Sequence, residues 1–389
     1  MRFTKADNMI NILFFIESLS GGGAEKVLCN LVNAMDKERF SITVQTLYPE
    51  VVKEKLAPGI KYKYCYPAKN RMTDLLMRTE AALGLTYPLH IKGDYDIEAA
   101  YLECGSTKIM AGSTNKKALK LAWVHCDLKK KAGNVDKFIK STAVHYRKYD
   151  SVVCVSEDVK KSFIEMYGMA EKVGTVYNCY NDTEVVLKAD MPAFDPIFSE
   201  EMTKKEPVVV AVGRLTAQKG FDRLLRIHKR LEDEGIHHQL RILGEGEERK
   251  SLETFIKQNE LGDSAALCGF QNNPYPMLKC ADLYVCSSLY EGFSTTVVES
   301  LILGTPVVTT DCTGMREILG DSEYGLITAN DDEAFYEGVK RMLTEPGLLS
   351  HYAEQAKLRG KDFKCEKSAY EAQKFLETER RKNERKHHK

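Results

Sequence analysis

The stretch Ala281-DLYVCSSLYEGFSTTVVESLI-Leu303 decides the fold. The run Ala281–Tyr290 is apolar without alternation, as a strand buried on both faces of a parallel sheet is, and it closes on a short loop. Thr295–Leu303 then reads as a helix. Glu291 therefore lies in the loop after a strand, and Glu299 lies about one turn into the following helix. In an open α/β sheet, ligands bind outside the carboxyl ends of the strands. Two carboxylates there can each accept hydrogen bonds from sugar hydroxyls. The plainer alternative makes one glutamate a charge at a helix start and the other a surface residue.

Working outward, short β-branched runs alternate with helical patterns along the whole chain, which predicts parallel α/β units. In the first half the expected strands are 11–16, 42–47, 97–102, 119–124 and 151–155, with helices at 25–35 and 158–167. In the second half they are 207–212, 239–243, 265–267, 281–286 and 306–310, with helices at 220–233, 249–258, 274–279 and 295–303. Between the halves, Lys188–Pro207 carries prolines and charges with little periodicity and reads as a linker. The stretch after Ser368 reads as a charged helix ending in a basic tail. At 389 residues, two domains of ordinary size are the natural expectation.

Composition bounds the function. A chain that is 43% hydrophobic and 29% charged is a globular protein. Its first apolar run contains Asn11 and stops at Glu17, so it reads as a β-strand and not as a signal peptide. The 11 cysteines form no C-x-x-C pair and show no Cys/His metal spacing, which suits a reducing cytoplasm. Of 56 basic and 56 acidic side chains, 28 and 23 fall in residues 1–190, leaving 28 and 33 for the rest. Nothing in that balance calls for a nucleic-acid partner. Basic residues cluster at Lys61–Arg78 and Lys129–Lys148, as solvated faces or as contacts to an anionic membrane surface. No stretch approaches the length of a membrane span, and no segment reads as apolar enough to insert, so the expected attachment is electrostatic.

Three further loops follow predicted strands. Ser18-LSGGGAEK-Val27 puts Gly21, Gly22 and Gly23 before an amphipathic helix, where backbone can approach an anion closely; a plain tight turn reads equally well. Gly213-Arg214-Leu215 and Gln218-Lys219-Gly220 lie between a strand and a helix. Two cations there suit a diphosphate, Arg bidentately and Lys as a point charge. Gly244-Glu245-Gly246 is a close-approach loop near a nucleotide or a structural turn.

In this order these motifs (Gly-Gly-Ala-Glu, Gly-Arg-Leu-x-x-x-Lys-Gly, Gly-x-Gly, Glu-Gly-Phe-x5-Glu, then Leu-Gly-Thr-Pro-Val-Val) resemble family 4 of the retaining glycosyltransferases, and the segment Ala118–Lys130, ALKLAWVHCDLKK, resembles those of bacterial surface-polysaccharide assembly. The resemblance implies the GT-B architecture, two Rossmann-like domains with a cleft between them. It divides the chain into an acceptor-side domain at 1–190, a nucleotide-sugar-binding domain at 191–365, and a terminal helix at 366–389 returning toward the first domain. It implies transfer from a nucleotide sugar, expected to be a UDP-sugar, to a saccharide acceptor that can be lipid-linked. The donor is a substrate; no cofactor and no metal are expected.

Carried over, Arg214 and Lys219 hold the diphosphate, Glu291 contacts the donor sugar, and Glu299 contacts the ribose. Gly213, Gly244 and Gly246 shape the donor loops. Backbone from Gly292 through Phe293 and Ser294 to Thr295 approaches the phosphates, and Gly22 and Gly23 close over them from the first domain. His125, which alone would read as a packed residue, is placed by the resemblance at the reacting centre. Glu103 and Asp127 are acceptor candidates, with a structural role for Glu103 and helix capping for Asp127 as the alternatives. The remaining alternatives on this fold are an inverting transferase, a sugar-nucleotide epimerase, a phosphorylase or a non-catalytic relative. The missing G-x-G-x-x-G speaks against a nicotinamide dehydrogenase. The expected location is the cytoplasm, with peripheral contact at the inner face of the plasma membrane.

Overall fold

The computed structural model describes residues 9–51, 55–193 and 206–387. The chain forms two compact units. One runs to Tyr180 and resumes at Cys365; the other spans Asn181–Lys364.

The first unit holds seven strands: β1 Ile10–Phe15, β2 Phe40–Thr46, β3 Lys61–Tyr64, β4 Ile97–Ala100, β5 Leu119–Val124, β6 Ser151–Cys154 and β7 Val173–Thr175. They lie in the order β3-β2-β1-β4-β5-β6-β7, and all pair in parallel. The second unit holds β8 Val208–Val212, β9 Gln239–Leu243, β10 Ala265–Gly269, β11 Leu283–Cys286, β12 Val307–Thr310 and β13 Leu326–Thr328, in the order β10-β9-β8-β11-β12-β13. These too are all parallel. Renumbered from its own first strand, the second sheet has the 3-2-1-4-5-6 order of a dinucleotide-binding fold, and the first sheet has that order with one strand more. Each sheet therefore has one switch point, between β1 and β4 and between β8 and β11. There the two neighbouring loops leave in opposite directions and open a crevice.

Helices cover the sheets because their apolar residues recur at helical spacing. In Phe221–Asp233, Leu224, Leu225, Ile227 and Leu231 pack with Ile242, Val285, Phe335 and Val339 into the core of the second unit. Among the described residues, no helix is long and apolar enough to cross a membrane.

The structure shifts several boundaries. The first unit ends ten residues before the expected 190, because the helix Asp182–Ala189 belongs to the second unit. It buries Val185 and Ala189, and the Lys188 carbonyl accepts a hydrogen bond from Asn273 Nδ2 at 2.9 Å. Of the expected linker, residues 194–205 lie outside the described residues. The final helix, Cys365–His387, is part of the first unit. There it buries Ala372 and Leu376, and Gln373 Oε1 accepts from the Asp36 amide at 2.8 Å. The end of the basic tail lies outside the described residues. Strands β3, β7 and β13 and the helix Arg71–Leu83 have no counterpart in the sequence reading.

Candidate functional site

The switch point of the second sheet brings Lys219 and Glu291 together. Lys219 follows β8 and Glu291 follows β11; 72 residues apart in sequence, their side chains pair at 2.6 Å. Ser288 Oγ donates to the same carboxylate oxygen, Glu291 Oε1, at 2.6 Å. The other oxygen, Oε2, has no hydrogen-bond partner among the described residues. Burial opposes the charge on Lys219, but the Glu291 carboxylate outweighs it and raises the ammonium pKa. Glu291 takes one of the three ammonium donors; the other two are not engaged by the described residues. Arg214 stands exposed on the same loop with no ion-pair partner among the described residues.

This pair is held by its loops. Ser287 Oγ donates to the Lys219 carbonyl at 2.7 Å, Leu289 N to the Gln218 carbonyl at 2.8 Å, and Gln218 Nε2 to the Tyr290 carbonyl at 3.0 Å. Gly220 has φ +61°, and a Cβ there would stand 2.4 Å from the Ser287 carbonyl oxygen, so the two loops approach more closely than any side chain allows. Two residues that sequence reasoning missed complete the support. Buried Arg223 donates to the Ser287 carbonyl at 2.6 Å and to Asn330 Oδ1 at 3.0 Å, while Asn330 Nδ2 donates to the Leu289 carbonyl at 2.9 Å. Their signal was absent from the motifs because they sit on the next helix and after β13.

Glu299 does not share this pair. It is buried, and its Oε1 accepts from Tyr275 Oη at 3.3 Å; burial and then Glu299 raise the Tyr275 pKa. Gly244 and Gly246 pack against the first loop of the site. A Cβ on Gly244 would fall 1.8 Å from the Gly213 carbonyl oxygen, and one on Gly246 2.2 Å from that of Leu215. Their visible role is loop-on-loop packing, the structural alternative left open above. Gly292, Phe293 and Ser294 form the turn before the helix Thr295–Leu303, whose N-cap Ser294 makes no side-chain capping bond. Phe293 is buried, and the Gly292 carbonyl lies where a Cβ on Gly314 would be.

At the switch-point end of the first sheet, β1 leads to Glu17 and to Gly22 and Gly23, which start the helix Gly23–Ala34; β4 leads to Glu103 and β5 to His125. Glu103 is buried and accepts from the His125 amide at 3.1 Å, Cys126 Sγ at 3.0 Å and Lys131 Nζ at 3.0 Å. Burial would raise its pKa, but Lys131 holds it down to about 2. Lys131, assigned by sequence to a basic face, is thus turned onto a buried carboxylate. The His125 ring packs on Tyr101 with centroids 4.8 Å apart. Burial pushes its pKa down to about 4 against the pull of Glu103, and its buried Nε2 has no partner among the described residues. Asp127 caps the short helix Leu128–Lys131: it accepts from the Lys129 and Lys130 amides and from Ser162 Oγ at 2.6 Å. Of the two roles open to it, capping is the one the geometry displays. Glu17 was missed as a site residue; its carboxylate accepts from the Ser106 amide at 3.1 Å, and burial raises its pKa.

Among the described residues, His228, Glu232 and His238 have the spacing of a metal-ligand group. They lie by the amino-terminal ends of β9 and β10, opposite the Lys219–Glu291 pair. Hydrogen bonds satisfy both imidazoles. His238 Nδ1 donates to the Ile236 carbonyl at 3.0 Å, His228 Nδ1 donates to His238 Nε2 at 2.8 Å, and Ser264 Oγ donates to His228 Nε2 at 2.8 Å. With these donors both rings are neutral, and burial lowers the His228 pKa to about 3. Its folded pKa lies below the unfolded value of about 6.5, so the unfolded chain takes the proton first. Stability is then full above about pH 6.5 and falls as the pH drops, by about 2 kcal/mol near pH 5 from this group. Urea unfolding of wild type and His228→Gln at pH 7.5 and 5 checks this. The variant's deficit at pH 7.5 should shrink at pH 5, and a constant deficit would contradict the relay.

Two sheets of this order, the second with a cation–carboxylate pair at its switch point, are what the GT-B fold calls for. The comparisons agree. Residues 195–359 match the family model of glycosyl transferases group 1. Over 388 residues the chain is 28% identical to the N-acetylgalactosamine-N,N'-diacetylbacillosaminyl-diphospho-undecaprenol 4-alpha-N-acetylgalactosaminyltransferase of Campylobacter jejuni, covering 93% of this chain and 98% of that one. The fold matches Anabaena HepE in complex with UDP and glucose at a TM-score of 0.75 and 17% identity, over 95% of this chain and 99% of that one. It matches sucrose-phosphate synthase of Thermosynechococcus elongatus at 0.78 and 17%, over 95% and 98%. Residues 195–359 thus carry a domain of the group 1 glycosyl transferase type, in a chain whose two units have the GT-B fold.

Proposed function

We propose that the protein moves a hexose or N-acetylhexosamine from a UDP-sugar to a lipid-linked or oligosaccharide acceptor in surface-polysaccharide synthesis, with retention at the anomeric carbon. The observation that carries this is the Lys219–Glu291 pair: among the described residues, nothing else engages two of the ammonium's donors or the carboxylate's second oxygen. Negative charge builds on the bridging oxygen as the nucleoside diphosphate leaves. Arg214 and Lys219 meet that charge already in place, which is where preorganised electrostatics lower a barrier most. Two such cations can serve where other transferases use a divalent ion. Glu291 Oε2 accepts from donor-sugar hydroxyls and Glu299 from the ribose, while the Gly292–Thr295 backbone faces the phosphates. The second unit thus takes the donor and the first unit the acceptor. The low pKa of His125 leaves Nε2 neutral at pH 7, able to accept from a sugar hydroxyl. No residue is assigned as a nucleophile; the acceptor hydroxyl attacks from the face the diphosphate leaves.

The relative from Campylobacter supports a lipid-linked acceptor, since its name specifies a diphospho-undecaprenol-linked substrate, and the HepE complex supports a uridine donor. Such an acceptor would place the enzyme at the inner face of the plasma membrane. Calorimetry with UDP tests the donor reading. Binding is expected at the same affinity with and without chelator; affinity that disappears with chelator would contradict the role given to Arg214 and Lys219.

A further inference from the structure

Two cysteines stand where the chain leaves the first unit and where it comes back. Cys179 is the last residue but one before the chain crosses to the second unit, and Cys365 is the first residue after its return. Separated by 186 residues in sequence, their Sγ atoms lie 2.8 Å apart. Both belong to the first unit. No short-range motif announces them, which is why the cysteines read as scattered from the sequence. The neighbours on the far side of each crossing meet as well: Lys364 Nζ donates to Asp182 Oδ2 at 2.7 Å within the second unit. The two crossings therefore lie side by side, with the thiols at their first-unit ends.

The two thiols differ in their surroundings. Cys179 is buried and fixed in place: its carbonyl accepts from buried Asn30 Nδ2 at 3.0 Å, and its Sγ donates to the Cys365 carbonyl at 3.5 Å. Cys365 is half-buried and opens the 23-residue helix Cys365–His387. A helix start presents amide donors without carbonyl partners, which favour a negative sulfur. Lys37 lies close enough to interact with Cys365 electrostatically, and its ammonium is held there by the Met35 carbonyl, to which it donates at 2.7 Å. An accessible sulfur favoured as thiolate, with a second sulfur buried behind it, suits one thiol that attacks and one that resolves. A disulfide is about 2.05 Å long, so the sulfurs need to close by only roughly 0.8 Å from their 2.8 Å separation.

We propose that Cys179 and Cys365 are a reversible redox pair, closed to a disulfide by a low-molecular-weight disulfide such as oxidised glutathione and reopened by thiol. The Cys365 thiolate attacks one sulfur of the oxidant and releases one glutathione thiolate, leaving a mixed disulfide on Cys365. Cys179 loses its proton and attacks Cys365 Sγ, releasing the second glutathione. Two electrons have then passed to the oxidant: two protein thiols have become one disulfide, one glutathione disulfide has become two thiols, and the two protons end on the glutathiones. In a reducing compartment the pair rests open and closes only when the disulfide pool rises. Closed, it clamps the first turn of the terminal helix to the segment after β7. Further along, that helix is held by Gln373, which accepts from the Asp36 amide. The redox state thus sets how firmly the start of the helix is held.

Mass spectrometry of the full chain, treated with oxidised glutathione in its native state and digested without reductant, tests this. Wild type should lose the mass of two hydrogens and yield a peptide pair joined through Cys179 and Cys365, and dithiothreitol should reverse both changes. Cys179→Ser should instead retain one glutathione on Cys365, because no second sulfur resolves the mixed disulfide. Cys365→Ser should leave Cys179 unmodified, since the buried sulfur then has no relay to the oxidant. In wild type, amide hydrogen exchange over the first turn of the terminal helix should slow severalfold on oxidation. The inference is overturned if wild type retains glutathione on Cys365 without forming the link, if other cysteines join first, or if the link forms and that exchange is unchanged. It is also overturned if Cys179→Ser takes up no glutathione at Cys365. The wild-type arms decide the matter even where a serine variant fails to fold.

Discussion

Lys219→Ala should lower turnover by about 10²–10³, corresponding to roughly 2.7–4 kcal/mol of lost transition-state stabilisation. The ammonium faces charge that grows only as the diphosphate departs, so kcat carries most of the loss and KM for the donor changes less. Glu291→Ala should impair turnover comparably by a different route. Lys219 then loses its partner, and the donor sugar loses the one Glu291 oxygen that no described residue occupies. Both variants should stay folded, because the surrounding loops are stapled independently by Ser287, Gln218, Arg223 and Asn330. Steady-state kinetics with a melting curve for each variant checks this. Near-normal turnover in both would show that the reacting centre lies elsewhere.

Gly244→Ala should act on the fold and not on the chemistry. At φ +149° the position is already strained for any side chain, and the added carbon would fall 1.8 Å from the Gly213 carbonyl oxygen. Backbone has to move on both loops, and a forced insertion of this kind costs typically 1–3 kcal/mol or more. For a unit of this size that is a fall of about 2–12 °C in Tm. Because Gly213 begins the loop that carries Arg214 and Lys219, UDP affinity should fall with it. A Gly244→Ala protein that melts with wild type would contradict the loop-on-loop packing. Gly262 offers the control: a Cβ there meets nothing within 4 Å, and Gly262→Ala should leave Tm nearly unchanged.

Much of this site was legible in the chain because strand ends are. Glu291, Lys219, His125 and Glu103 all follow strands whose apolar runs are readable without coordinates, and Thr295–Leu303 carries the bounds read for it. What could not be read is who meets whom. That Lys219 touches Glu291 depends on β8 lying beside β11, and that Glu299 turns to Tyr275 depends on the placement of the helix Tyr275–Cys280. Both are facts of strand order and packing. Asp127 shows both sides: its cap on the Lys129 and Lys130 amides is local and was open to reading, whereas its bond from Ser162, 35 residues away, was not. The short strands β3 and β13 were invisible because three or four residues carry little periodicity. The helix Arg71–Leu83 escaped for a stronger reason. Pattern reading assumes that apolar residues face inward, and here the inward groups are Asp74 and Glu80.

The central claim is that the switch-point pair serves nucleotide-sugar transfer. Release of nucleoside diphosphate from a panel of UDP-, GDP- and ADP-sugars, with a lipid-linked saccharide acceptor and with or without chelator, tests it most directly. The account predicts turnover of a UDP-hexose or UDP-N-acetylhexosamine at the same rate in chelator, with a product whose anomeric coupling by NMR matches that of the donor. No turnover of any donor, together with no binding of UDP, GDP or ADP at millimolar concentration, would contradict it.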